Sequence, residues 1–100
     1  MPTFSQADRF RRDFARLTAE QKAVFRAAAA RFVADLPSGR FRPGLRVKGV
    51  QRAVGVFEMT WADDGADDAR ATFEYGPAVH QGETHVAWRR VGTHDISAHS

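Results

Sequence analysis

The segment Arg16-Leu17-Thr18-Ala19-Glu20-Gln21-Lys22 decides how this chain folds. Thr18 followed three residues later by Gln21 is a T-x-x-Q capping box, in which a hydroxyl and an amide satisfy orphan N–H groups at a helix start. The residues before it already follow a helical period. Phe10, Phe14 and Leu17 recur at i, i+4 and i+7, which is one helix face. One helix therefore ends and another begins within a residue or two, and so short a connection predicts an antiparallel helical hairpin.

Working back from the junction, Ser5 and Asp8 form an S-x-x-D pair that predicts the first N-cap. Asp8, Arg9, Arg12, Asp13 and Arg16 fall mostly off the apolar face and read as solvated. Working forward, Phe25, Ala28, Phe32 and Leu36 make the buried stripe of the second helix, with Val24, Ala29 and Val33 beside it. Pro37-Ser38-Gly39 stops it.

The period then changes. Leu45-Arg46-Val47-Lys48 alternates apolar and basic, as a half-buried strand does. Residues 53–62 are rich in β-formers, and residues 70–75 and 85–91 read as two further strands. Asp63-Asp64-Gly65 and Gly76-Pro77 punctuate them, and residues 80–84 read as a loop. The predicted fold is α+β: an N-terminal helical hairpin packed on one face of a small antiparallel β-sheet, with residues 1–100 as a single domain. The other sheet face has no helix left to cover it. Trp61 and Trp88, inside strand patterns, read as core.

Composition narrows the function classes. With 43% hydrophobic and 11% aromatic residues the chain is globular in character, and the absence of cysteine excludes a disulfide framework or a thiolate metal site. Residues 1–12 are polar and charged, unlike a signal peptide. Ala27-Ala28-Ala29-Ala30 is bracketed by Arg26 and Arg31, so no membrane span is expected and a cytoplasmic location is. Residues 1–52 hold twelve Lys/Arg against four Asp/Glu, a net of +8, whereas residues 53–100 carry a net of −5. A basic first half suits a polyanion or an acidic protein partner.

The chemistry-bearing stretch is Trp88-Arg89-Arg90-Val91-Gly92-Thr93-His94-Asp95. Arginine keeps its charge and grips phosphate through two donors, and histidine moves protons near neutral pH. Alternation puts Arg90, Gly92 and His94 on one side of an extended strand and Arg89 on the other. Glu58, between Phe57 and Met59, reads either as a general base or as the partner of an arginine on a neighbouring strand, Arg70 for instance, the ion pair being the simpler reading. Asp63, Asp64, Asp67 and Asp68 lack the spacing of a calcium loop and read as a charged hairpin tip. The four histidines lack metal-ligand spacing, so neither metal nor cofactor is expected.

In their order, Leu45-Arg46-Val47-Lys48-Gly49, Gly55-Val56-Phe57-Glu58-Met59 and Trp88-Arg89-Arg90-Val91-Gly92-Thr93-His94 resemble the RelE/ParE superfamily, the toxic halves of bacterial type II toxin–antitoxin pairs. The last of them is closest to the R-x-G-T-H ending of a ribosome-dependent ribonuclease branch. The resemblance covers most of the chain, but three features depart from the family pattern. Pro2-Thr3-Phe4 leaves little for the family's usual opening strand, Met59-Thr60-Trp61 stands where many members have a basic residue, and no aromatic follows His94, although His99 is near.

The resemblance implies an endoribonuclease that cuts mRNA in the ribosomal A site by 2′-hydroxyl attack on the adjacent phosphate. It would be neutralised by a cognate antitoxin wrapping the basic surface. Arg90 would hold the phosphate and His94 would carry a proton, with His85, His80 or Glu58 as the second carrier, in that order. Arg46, Lys48, Arg52 and Arg70 would extend the grip on RNA. A gyrase-inhibiting toxin of the same fold, or a domain that only binds protein or RNA, are the alternatives.

Overall fold

The computed structural model describes residues 2–50, 54–61, 69–79 and 81–93. In chain order the elements are β1 (Thr3–Gln6), α1 (Asp8–Arg16), α2 (Ala19–Asp35), β2 (Lys48–Gly49), β3 (Val56–Trp61), β4 (Ala69–Gly76) and β5 (His85–Thr93). Two 3₁₀ turns, Leu36–Ser38 and Pro43–Leu45, lie between α2 and β2. The fold is α+β, with two helices packed on one five-stranded sheet of order β1-β5-β4-β3-β2.

The junction forms as its residues dictate. Gln21 N–H donates to Thr18 Oγ1 at 3.1 Å, and Thr18 N–H donates to Gln21 Oε1 at 2.8 Å. Phe25, Ala28, Phe32 and Leu36 are all buried. Phe32 stands at the centre, its ring 5.0 Å from both Phe41 and Phe73 and 5.4 Å from Trp88. Phe10 of α1 meets Phe25 at 5.8 Å and Trp88 at 6.1 Å, so both helices close on the same strand. Trp61 and Trp88 are core residues.

Three expectations are corrected. Residues 3–6 form a strand, parallel to β5 in the register Thr3↔His85 to Gln6↔Trp88, so the sheet is mixed rather than purely antiparallel. Ser5 is consequently a strand residue. The N-cap of α1 is Ala7, which makes no side-chain capping bond. Residues 45–48 are not a strand, because Pro43 starts a 3₁₀ turn that buries Leu45 and leaves Arg46 left-handed at φ 42°. Only Lys48–Gly49 pairs with β3.

The third correction concerns β5. Phe73 pairs with Trp88 but Thr72 pairs with Arg90, so Arg89 is an extra residue, a β-bulge. Inward positions therefore run Val86, Trp88, Val91, and strict alternation of Arg89 against Arg90 is lost. Arg52, His80, His94, His99 and the Asp63, Asp64, Asp67, Asp68 cluster lie outside the described residues.

Candidate functional site: a polar sheet face and an arginine hollow

Phe57, Met59, Trp61, Ala71, Phe73, Val86, Trp88 and Val91 turn to the helices as core or packed against it, so the alternate residues face away from the helices, where Val56, Glu58, Thr60 and Thr72 are nonetheless buried. Register then composes a single cross-strand row on that side. Lys48 pairs with Glu58, Glu58 with Thr72, and Thr72 with Arg90. Arg70, one alternate position along β4, stands opposite Thr60 and Gly92. Lys48, Glu58, Arg70 and Arg90, singled out separately in sequence, are thus neighbours on one face.

Glu58 is 4% exposed and lies between two cations. Lys48 Nζ is 3.4 Å from its Oε1 and Arg70 Nη1 is 3.6 Å from its Oε2. The expected ion pair with Arg70 is present, and a second cation joins it. A carboxylate taken this far from water needs such partners, since an uncompensated buried charge is costly. Next to it, Thr72 is fully buried and its hydroxyl has no hydrogen-bond partner among the described residues. Arg46 is exposed at the end of a 3₁₀ turn.

Arg90 lies at the opposite end of the row, where β1 has ended and α1 takes over the flank of β5. Its Nε donates to Asp13 Oδ2 at 2.8 Å and its Nη2 to Asp13 Oδ1 at 3.0 Å, a bidentate pair with side-chain exposures of 17% and 11%. The Val91 N–H donates to the same carboxylate at 3.3 Å, so Asp13 also satisfies the strand edge that β1 leaves open. Burial pushes the Asp13 carboxyl up, but the hydrogen bonds from Arg90 and Val91 and the charges of Arg90 and Arg9 outweigh it and hold the group below its ordinary value.

His85 is not brought to this point. It lies five residues before Arg90 on β5, on the order of 16 Å at the usual rise of a strand. Its Nδ1 is 2.7 Å from Thr3 Oγ1 and its Nε2 is 3.0 Å from Ser5 Oγ. Both ring nitrogens are thereby used to fasten β1 to β5, with the ring lying across Gly76, where an added Cβ would approach it to 2.8 Å. His85 does not share a phosphate with Arg90 in this arrangement.

Sequence reasoning missed the surroundings of Arg90. A hollow of about 280 Å³ is lined by Arg9, Arg12, Asp13, Arg16 and Arg90. A second, of about 270 Å³, adjoins it through Arg9 and Arg90 and is also lined by Ser5, Glu74, Trp88 and Arg89. Arg89 pairs with Glu74 at 3.4 Å there. The signal that was legible is the spacing of Arg9, Arg12 and Arg16, which shares one helix face; that this face borders β5 was not.

Among the described residues, no helix is long and apolar enough to cross a membrane. Compared with protein-family models, with curated proteins and with solved structures, the chain matches none.

Proposed function

We propose that this chain is a RelE/ParE-type toxin of a bacterial type II toxin–antitoxin pair that cleaves mRNA on the ribosome. The observation that carries the reading is the row Lys48–Glu58–Thr72–Arg90, with Arg70 beside it, on the sheet face opposite the helices. Support also comes from β1, since the superfamily opens with a short strand and this chain has one.

In the proposed reaction the 2′-oxygen of one nucleotide bonds to the adjacent phosphorus as the bond from phosphorus to the 5′-oxygen breaks. The products are a 2′,3′-cyclic phosphate and a 5′-hydroxyl. A base takes the 2′-hydroxyl proton, cations hold the crowded phosphorane, and an acid protonates the leaving oxygen. Placement favours Glu58 over His85 as the base, because Glu58 shares the row with the cations while His85 is bound to Thr3 and Ser5. Lys48, Arg70 and Arg90 supply charge, and His94 is the acid. An antitoxin that wraps the basic surface would keep the toxin silent, and the site of action is cytoplasmic.

Induced expression followed by mapping of transcript ends tests this. The parent is expected to arrest growth and to generate new mRNA ends, and Glu58→Gln, Arg70→Ala and His94→Ala at equal protein level are expected to lose both effects. Arrest by all three variants with the same transcript ends as the parent would remove the nuclease reading.

One observation favours a second reading. Glu58 already holds two cations and Arg90 already holds Asp13, so the charges are paired without substrate. A non-enzymatic toxin of the same fold that inhibits DNA gyrase by binding it requires no free base. Inhibition of supercoiling by purified protein, with transcripts left intact, selects that reading.

A further inference from the structure

Arg9, Arg12 and Arg16 recur at i, i+3 and i+7 of α1 and line one hollow together with Arg90. Asp13 is the single carboxylate among the lining residues, and it is committed to Arg90 and to the Val91 N–H. None of the three helical arginines makes an ion pair among the described residues. Four guanidinium groups around one spent carboxylate leave a net charge of about +3 in a concave site, the arrangement that draws an anion with several acceptor oxygens. The hollow adjoins the end of the row, sharing Arg90 with it.

We propose that this hollow is a phosphate subsite for the backbone of single-stranded RNA, in which Arg9, Arg12 and Arg16 grip a phosphate beyond the one at the row, with Asp13 competing for Arg90. The inference rests on the reading of the chain as an RNA-directed toxin and names a binding surface that the cleavage chemistry does not require. Phosphate is the group such a surface selects, because guanidinium binds it through paired donors while bases offer no comparable charge.

The test is anisotropy of a labelled short 2′-O-methyl oligouridylate, which cannot be cut by its own 2′-oxygen, titrated with the full chain over a range of salt. Arg12→Ala is expected to weaken binding several-fold and the triple variant Arg9→Ala/Arg12→Ala/Arg16→Ala more than tenfold, with the salt slope of the triple variant falling by about 0.7, the value for one lost phosphate contact on a single strand. Asp13→Asn is expected to tighten binding. Arg31→Ala, at an exposed position of α2 that lines neither hollow, is expected to leave the slope unchanged. Circular dichroism of each variant checks that it is folded.

An unchanged slope in the folded triple variant overturns the proposal, as does an equal loss in Arg31→Ala, which would mean diffuse charge alone. Tighter binding of duplex DNA through the same arginines overturns the assignment to single-stranded RNA. Because no cleavage is read out, failure here leaves the toxin reading standing, and failure of the toxin reading leaves this measurement interpretable.

Discussion

Asp13 accepts hydrogen bonds from two consecutive residues of β5, 77 and 78 positions away in the chain. Asp13→Ala would leave the Arg90 guanidinium without its carboxylate and the Val91 N–H without an acceptor, at an expected cost of about 2–3 kcal/mol in urea unfolding. Asp13→Asn keeps an acceptor oxygen and is expected to cost about 1 kcal/mol. The carboxyl sits below its ordinary value in the folded chain, so its contribution is full above the unfolded value of about 4 and is lost as pH falls through the folded value. Asp35 behaves with the same sign, its carboxyl brought down to about 2 by hydrogen bonds from the Arg42 side chain and backbone. The urea midpoint should therefore drop between pH 5 and pH 3 in the parent and drop less in Asp13→Asn. Equal drops would show that Asp13 is not among the groups responsible. Local periodicity places Asp13 off the apolar face and stops there, because no helical period reports which strand passes beside it.

At the scale of elements, α2 is the part most fully written into its own residues. Its cap is a reciprocal pair three residues apart and its stripe repeats every three to four positions, both short-range properties. Thr18→Ala should cost about 1 kcal/mol and fray the first turn, read as a lower denaturation midpoint with an unchanged denaturant slope. A change under a few tenths would show that packing of Phe25 and Phe32 holds the turn without the cap. The opposite case is β1: four residues, three of them exposed, whose extended form comes from pairing with β5 and from the hydroxyls of Thr3 and Ser5 on His85. The same letters in isolation suit a helix cap, which is why Ser5 reads as one. The 3₁₀ turn at Pro43–Leu45 lies between these cases. Proline and glycine announce a turn, but the burial of Leu45 is what breaks the alternation of residues 45–48.

For the whole molecule, one aromatic cluster holds helices and sheet together. Phe32, fully buried, touches Phe41, Phe73 and Trp88, so Phe32→Ala should cost about 3–5 kcal/mol. That is a large fraction of the roughly 5–15 kcal/mol by which a small domain is stable. Near-parental thermal unfolding of this variant would show that the core closes around the gap. With the helices occupying one side, the polar residues of β3, β4 and β5 are left together on the other, and the candidate site follows from this division.

What the residues settled unaided was local: two helices and where the second begins, the strands of the C-terminal half, and the core tryptophans. These rest on hydrogen bonds and side-chain periods a few positions apart. Only the tertiary structure decided the partners: β1 beside β5, the bulge that puts Arg89 out of step, Asp13 on Arg90, and His85 spent on two hydroxyls. Apart from the bulge, which is set between β4 and β5, each joins groups about 80 residues apart, and contacts at that separation exist only once burial of the aromatic core has brought α1 and the sheet together.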